Sequence, residues 1–247
     1  MVHTMHRYSV LLPTWNERES LPLVVYLVHK ACTESGLDFE IVIIEDNSDD
    51  GSLQVAQKLQ SVYGNDRVVI VARKGKLGLQ SAYMDGLLKA SGDFIFVLDA
   101  NLTQQPQLID RFVREQARTN SHIVLGTRFG ADHAGVCGWS WTQRLHCCVE
   151  NMLVGVLFGL DMTDATSNFR LYTRHALATI LHGLEGKQIP SHVNVAILVQ
   201  ARAAHFMVAE VPITAMQRLY GSDDRRATVR GLAKLIAQVA TLFWTIG

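Results

Sequence analysis

The 247-residue chain has no excess of charge of either sign, because Lys plus Arg and Asp plus Glu both number 23. Net charge therefore gives no reason to expect nucleic acid as a partner. Cysteine is scarce: Cys32, Cys137, Cys147 and Cys148 are the only four, and none form a Cys-x-x-Cys pair. That argues against a cysteine metal cage or a disulfide framework and fits a reducing compartment. Long hydrophobic runs are missing too, since none reaches the ~18 residues that span a bilayer. A secretory leader is not visible: Met1 to Tyr8 is polar, and the apolar stretch after it is broken by Pro13, Asn16 and the charges up to Glu19. A soluble or peripherally bound protein is expected. What the chain does have is a 48% apolar share, enough for one large core.

Apolar runs alternate with segments of helical spacing. The runs Ser9–Leu12, Glu40–Ile44, Val68–Val71, Phe94–Leu98, Ile123–Leu125 and Phe206–Val211 predict strands. Between the early ones, Leu21–Cys32, Leu53–Val62, Leu79–Ala90 and Leu108–Ala117 predict helices. This alternation implies an α/β fold with a mostly parallel sheet covered on both faces. The glycine-rich stretch Phe129–Ser140 predicts a loop.

Chemistry collects where the strands end. Phe94–Leu98 stops at Asp99-Ala100-Asn101, which puts a carboxylate in the crevice where open α/β sheets hold ligands. The first strand ends in Pro13-Thr14-Trp15-Asn16-Glu17. The second ends in Glu45-Asp46-Asn47-Ser48-Asp49-Asp50, where crowded carboxylates suit a ligand better than packing, although Ser48 or Asp50 could cap the next helix. Lys74-Gly75-Lys76-Leu77-Gly78 precedes a helix and suits a phosphate. Arg128 ends the fifth strand, as a surface residue or as an anion ligand.

Taken in order, several strings resemble one family. They are Tyr8–Pro22, Lys76-Leu77-Gly78-Leu79 with Ala82-Tyr83, Gly126-Thr127-Arg128-Phe129, Gly138-Trp139, Ser167–Tyr172, Glu210-Val211-Pro212-Ile213 and Arg218-Leu219-Tyr220-Gly221. The set resembles the dolichol-phosphate mannose synthases, which are GT-A-fold glycosyltransferases of family 2, in the short form that lacks membrane-spanning helices. The resemblance implies inverting transfer of mannose from GDP-mannose to dolichyl phosphate, with Mg²⁺ or Mn²⁺. It implies work at the cytosolic face of the endoplasmic reticulum membrane beside small transmembrane subunits. By position it assigns the donor to Pro13, Asn16, Glu17, Asp46, Lys76 and Gly78. It assigns the metal to Asp99 and Asn101 with Thr103 beside them, the phosphates to Arg128 and Arg218, and catalysis to Asp99, Arg128 and Arg218. The acceptor or further phosphate contacts fall to Gln143, Arg144, Ser167 and Arg170.

The chain departs from that family near the chemistry. Asn101 stands for the second Asp of Asp-x-Asp, Gln143 for an Arg, Cys147 for a Ser and Ala196 for an acid, and Asp223-Asp224 precede Arg225-Arg226 where Ser-Lys is usual. Two alternatives follow: a non-catalytic paralogue that binds or regulates, and a transferase using another donor such as UDP-glucose. The domain is expected over 1–230. Over 231–247, Leu232, Leu235, Ile236, Val239, Leu242, Phe243 and Ile246 behind Arg225, Arg226, Arg230 and Lys234 predict an amphipathic helix. It would lie on the membrane surface or pack on the domain or a partner.

Overall fold

The computed structural model describes residues 6–129, 135–187, 189, 193–220, 241, 243 and 244. The predicted helix over 231–247 falls almost wholly outside them. Seven strands form the central sheet: β1 (Arg7–Thr14), β2 (Asp38–Glu45), β3 (Val68–Ala72), β4 (Phe94–Val97), β5 (Ile123–Thr127), β7 (Arg170–Thr173) and β8 (Val208–Pro212). Their order is β3-β2-β1-β4-β7-β5-β8, and all are parallel to their neighbours except β7, which runs against both β4 and β5. The expected mostly parallel sheet is present. The stretch expected to be only loop also carries a short strand, β6 (Gly135–Cys137), which pairs with β9 (Thr214–Met216) as a separate two-stranded ribbon.

Helices cover both faces: α1 (Leu21–Glu34), α2 (Ser52–Tyr63), α3 (Leu79–Lys89), α4 (Ile109–Thr119), α5 (Trp141–Phe158), α6 (Arg174–Gly183) and α7 (Val193–Ala203). Successive side chains on a strand point to opposite faces, so β1 feeds two cores. Val10 and Leu12 pack with Val24, Val25 and Val28 of α1 and Phe112 of α4. Leu11 packs with Tyr83 of α3 and the apolar faces of α6 and α7. Strands buried on both sides must read as unbroken apolar runs, as Ile41–Ile44 and Phe94–Val97 do. Close packing of α3 needs Gly86, where a Cβ would meet Ile44 Cδ1 at 2.9 Å and Leu11 Cδ1 at 3.3 Å.

Because β1, β2 and β4 are parallel neighbours, their carboxyl ends open on one edge. The reversed β7 brings its amino end to that edge as well. The turn from Asp164 to Asn168 is thereby inserted between the ends of β4 and β5.

Candidate active site at the carboxyl ends of the sheet

A pocket of about 300 Å³ lies at this edge. Asp99 and Asn101 line it from beyond β4, Arg128 from beyond β5, Ser167 and Asn168 from before β7, and Arg218 from beyond β9. Trp15 and Lys76 also line it, with the Lys76 ammonium 3.3 Å from the centre of the Trp15 ring. Of the residues expected at the ligand, the pocket gathers Lys76, Asp99, Asn101, Thr103, Arg128, Ser167 and Arg218.

Asp99 is held by amides. Asn168 Nδ2 donates to both carboxylate oxygens at 2.9 Å, and Gln104 Nε2 donates to Oδ2 at 3.2 Å. Asn194 of α7 donates in turn to the Asn168 side-chain oxygen, which turns the Asn168 amide toward Asp99. Asn101 is committed differently. Its Oδ1 accepts the Thr103 backbone N–H at 3.1 Å and the Thr103 hydroxyl at 2.6 Å. These bonds hold Leu102 at φ 61, a left-handed conformation costly for a branched apolar residue.

A divalent cation fits this donor set in one way. Asp99 supplies a carboxylate, Asn101 supplies an uncharged amide oxygen already in use, and no cluster of three or more His, Cys, Asp or Glu able to hold a metal occurs among the described residues. Mg²⁺ and Mn²⁺ accept one carboxylate when substrate phosphates and water complete the octahedron. The residues suit a cation that arrives with a diphosphate.

The two arginines of the pocket are both paired. Arg128 is buried and chelated by Asp164, with Nε to Oδ2 at 2.6 Å and Nη2 to Oδ1 at 2.7 Å. Burial opposes both charges, yet the pair prevails: the Arg128 guanidinium is held above its ordinary range and the Asp164 carboxyl below its own. Arg218 Nη2 donates to Glu17 Oε1 at 2.6 Å. Burial pushes the Glu17 carboxyl up, a Ser20 hydrogen bond and Arg218 pull it back, and the negative field of Asp99 and Asp50 adds to the rise.

Other expected ligands sit around the pocket rather than in its wall. Asp46 is buried against Arg73, whose Nε also donates to Asp85 at 2.9 Å. Two of the crowded carboxylates at the end of β2 bind backbone N–H groups. Glu45 accepts the N–H groups of Asn47 and Ser48 at 3.0 and 2.8 Å, and Asp50 accepts those of Arg18 and Ser52 at 2.9 Å each. Pro13 is the penultimate residue of β1, paired with Ile44, and Gly78 sits before α3 at φ 93. The Asn16 backbone N–H donates to Ser48 Oγ at 3.0 Å, while its side-chain oxygen is buried without a hydrogen bond.

Three expected phosphate contacts are placed elsewhere. Arg170 lies in the core, 1% exposed, and donates to the carbonyls of Ser167, Ala165 and Asn194 at 2.7–2.9 Å. It stitches the turn before β7 and leaves the pocket to Ser167. Gln143 closes the amino end of α5 in a reciprocal cap with Ser140. Arg144 is exposed and donates to the Val136 carbonyl at 3.1 Å. Sequence reasoning missed Arg73, Asp164 and Gln104 as parts of the site. Trp139 and Asn168 lay within quoted motifs without a role.

With this geometry in hand, comparison with known proteins is informative. The pattern of glycosyl transferase family 2 matches residues 9–181. Polyprenol monophosphomannose synthase of Mycolicibacterium smegmatis is 30% identical over 224 residues, which is 89% of this chain and 81% of that protein. The fold is shared with glucosyl-3-phosphoglycerate synthase of Mycobacterium tuberculosis, solved with Mn²⁺, uridine diphosphate and glucosyl-3-phosphoglycerate. That match has TM-score 0.65 and 16% identity, over 97% of this chain and 80% of that one. Mannosyl-3-phosphoglycerate synthase of Rubrobacter xylanophilus aligns with TM-score 0.63 and 15% identity, over 96% and 73% of the two chains.

Proposed function

We propose that this chain, which belongs to glycosyl transferase family 2, transfers mannose from GDP-mannose to dolichyl phosphate or a similar polyprenyl phosphate, with inversion. The observation that carries the reading is the pocket itself: one oriented carboxylate, Asp99, faces two arginines, Arg128 and Arg218, at the carboxyl edge of a parallel sheet. Supporting it is the M. smegmatis relative, whose name specifies a mannosyl phosphopolyprenol product.

The chemistry asks little of acid or base groups. An oxygen of the lipid phosphate, already ionised at neutral pH, attacks the anomeric carbon. The bond from that carbon to the donor diphosphate breaks, and its electron pair leaves with the nucleotide. No proton need move, so catalysis is positioning and neutralisation of charge. When bound, a divalent cation would neutralise the departing diphosphate, with Asp99 and the Asn101 amide as its protein contacts. Asn168 and Gln104 hold the Asp99 oxygens in place by hydrogen bonds. Arg128 and Arg218 meet phosphate charge. Asn16, Glu17 and Asp46 flank the nucleoside, and Lys76 reaches over Trp15 at the rim.

A lipid acceptor also needs a surface that approaches the bilayer. Among the described residues no helix is long and apolar enough to cross a membrane. However, α5 exposes Trp141, Leu145, Met152 and Val156 along one side, and this spacing forms a stripe on a helix. Phe243 from the tail packs 5.8 Å from Phe158, ring to ring, at the far end of α5. This stripe, together with the tail over 231–247, would dock the enzyme on the cytosolic face of the endoplasmic reticulum or on a small membrane subunit.

A UDP-sugar donor is the second reading, because the M. tuberculosis neighbour was solved with uridine diphosphate. Titration calorimetry with GDP-mannose and UDP-glucose, with and without Mn²⁺, tests both, followed by transfer to a short-chain polyprenyl phosphate. Mn²⁺-dependent binding of GDP-mannose and appearance of the mannosyl lipid are expected. Binding without transfer would identify a non-catalytic paralogue, and preference for UDP-glucose would replace the donor.

A further inference from the structure

The Asp164 carboxylate is the most completely enclosed acid at the site, 0% exposed, and nothing in the reaction requires it. It accepts the Thr166 N–H at 3.3 Å and the Thr166 hydroxyl at 3.2 Å, but its shortest bonds go to Arg128. Oδ2 accepts the Arg128 backbone N–H at 3.0 Å and Nε at 2.6 Å, and Oδ1 accepts Nη2 at 2.7 Å. Nη2 donates again to the Thr166 hydroxyl at 2.5 Å. One edge of the guanidinium, Nε with Nη2, is thus chelated in the parallel geometry that suits Arg and carboxylate. The Nη1 amino group takes no part in these bonds, and Arg128 is part of the pocket wall.

Behind the pair, α5 holds the acid in place. Asn151 Oδ1 accepts the Ala165 N–H at 2.8 Å, and its Nδ2 lies 3.4 Å from both Asp164 Oδ1 and Thr166 Oγ1. The Trp139 ring covers the guanidinium, 5.4 Å from Cζ.

Such pairing is a poor way to attract an anion. A neutralising carboxylate weakens the pull of Arg128 on any phosphate, so ground-state affinity alone would favour an unpaired arginine. What the chelate provides is a fixed direction, with one amino group, Nη1, outside the chelate at a set point. Orientation of this kind favours charge that appears only as the glycosidic bond breaks.

We propose that Asp164 is a positioning residue: it clamps Arg128 so that Nη1 meets the phosphate charge developing in transfer, at the expense of nucleotide affinity. The inference deepens the proposed function and rests on its placing of phosphate beside Arg128. Thr166 is the minor partner of the same clamp.

The test is a double-mutant cycle in the full chain, with Asp164→Asn and Arg128→Gln, whose amide can still donate to Asp164. Two signals are read: kcat with GDP-mannose and a short-chain polyprenyl phosphate, and the Kd of GDP with Mn²⁺ by calorimetry. Asp164→Asn is expected to lower kcat by about tenfold or more while GDP binds as well or about twofold to fivefold tighter. In the Arg128→Gln background the same change should cost no further turnover, since residues acting as a unit are not additive. Equal losses in both backgrounds, or parallel losses of kcat and GDP affinity, would overturn the clamp and leave Asp164 a packing residue. If Asp164→Asn does not fold, Thr166→Val runs the same cycle, with an expected kcat loss of about twofold to fivefold in the Arg128 background and none in the other. Failure of the unmodified protein to bind either GDP or UDP is a different result. It removes the phosphate itself, and both the proposed function and the clamp fall with it.

Discussion

Substitution Asn101→Asp restores a second carboxylate beside Asp99, and its consequences can be worked from the turn it occupies. Both local bonds of Asn101 use its side-chain oxygen as acceptor, from the Thr103 N–H at 3.1 Å and the Thr103 hydroxyl at 2.6 Å. A carboxylate oxygen can take both over, so Leu102 should keep its left-handed turn. The change is then one negative charge in a partly enclosed pocket. Two unit charges about 4 Å apart at an effective dielectric of about 20 interact by about 4 kcal/mol before desolvation. Stripping water from the carboxylate and cation removes much of that gain. A net 1–2 kcal/mol is expected, which is about tenfold in Mn²⁺ affinity in the presence of GDP. Without metal the same charge repels Asp99 and costs about 1 kcal/mol, or about 2–4 °C in Tm for a domain of this size. Calorimetric titration of Mn²⁺ into protein with GDP, and thermal melts with and without Mn²⁺, measure both arms. Mn²⁺ affinity that stays the same or falls would show that Asn101 does not face the cation. A metal-free Tm that drops and is not restored by Mn²⁺ would place the new charge in the pocket but away from any metal.

Arg218→Ala should lower kcat by about a hundredfold while changing donor affinity less, because its partner charge grows in the transition state; a rise in KM alone would make Arg218 a uniform binding contact. The Asp164 carboxyl is held below its ordinary value of 3.8, so its stabilising effect is complete above that value and is lost as pH falls through the lower folded one. Melts from pH 7 down to pH 3 should therefore show a steeper acid loss in the unmodified protein than in Asp164→Asn, and equal slopes would refute the linkage. Paired substitution of Leu145→Glu and Met152→Glu should release the protein from anionic vesicles and leave GDP binding intact, as sedimentation and calorimetry would show; unchanged sedimentation would assign attachment to the tail.

Much of the fold was readable because long strands buried on both faces must be apolar throughout. Strands β1, β2, β4 and β5 announce themselves that way, while the edge strands β3 and β8 are only partly buried, and β8 carries Glu210 at its centre. Strand β7 does not: it has four residues and begins with Arg170, a charge that period and hydropathy place at the surface. Its burial is possible because carbonyls of the preceding turn and of Asn194 in α7 receive its guanidinium, and those partners are known only in three dimensions. In the site, Asp99 was legible as an acid that ends an apolar run. Arg73 was not, since Val-Ala-Arg-Lys-Gly-Lys gives no sign that the arginine is buried against Asp46 while Lys74 and Lys76 are not. That Glu45 and Asp50 accept backbone N–H groups of their own surroundings was not legible, because composition cannot distinguish a ligand from such an acceptor. The capping role of Gln143 was hidden for a related reason, as a helix cap and a phosphate contact ask for similar polar side chains.

The reversed strand β7 has a consequence for synthesis on the ribosome. Until residue 173 has emerged, β4 and β5 have nothing to fill the gap between them, and the sheet remains two separate edges. Pairings of this sequence separation form slowly and leave apolar edges open to other chains. The nascent protein is thus most exposed to aggregation between completion of β5 and arrival of β7. Arg218 joins still later, after β9, so a stalled chain of two hundred residues would carry most of the core but an incomplete pocket. Tight nucleotide capture by nascent chains would then mark the end of folding rather than its progress.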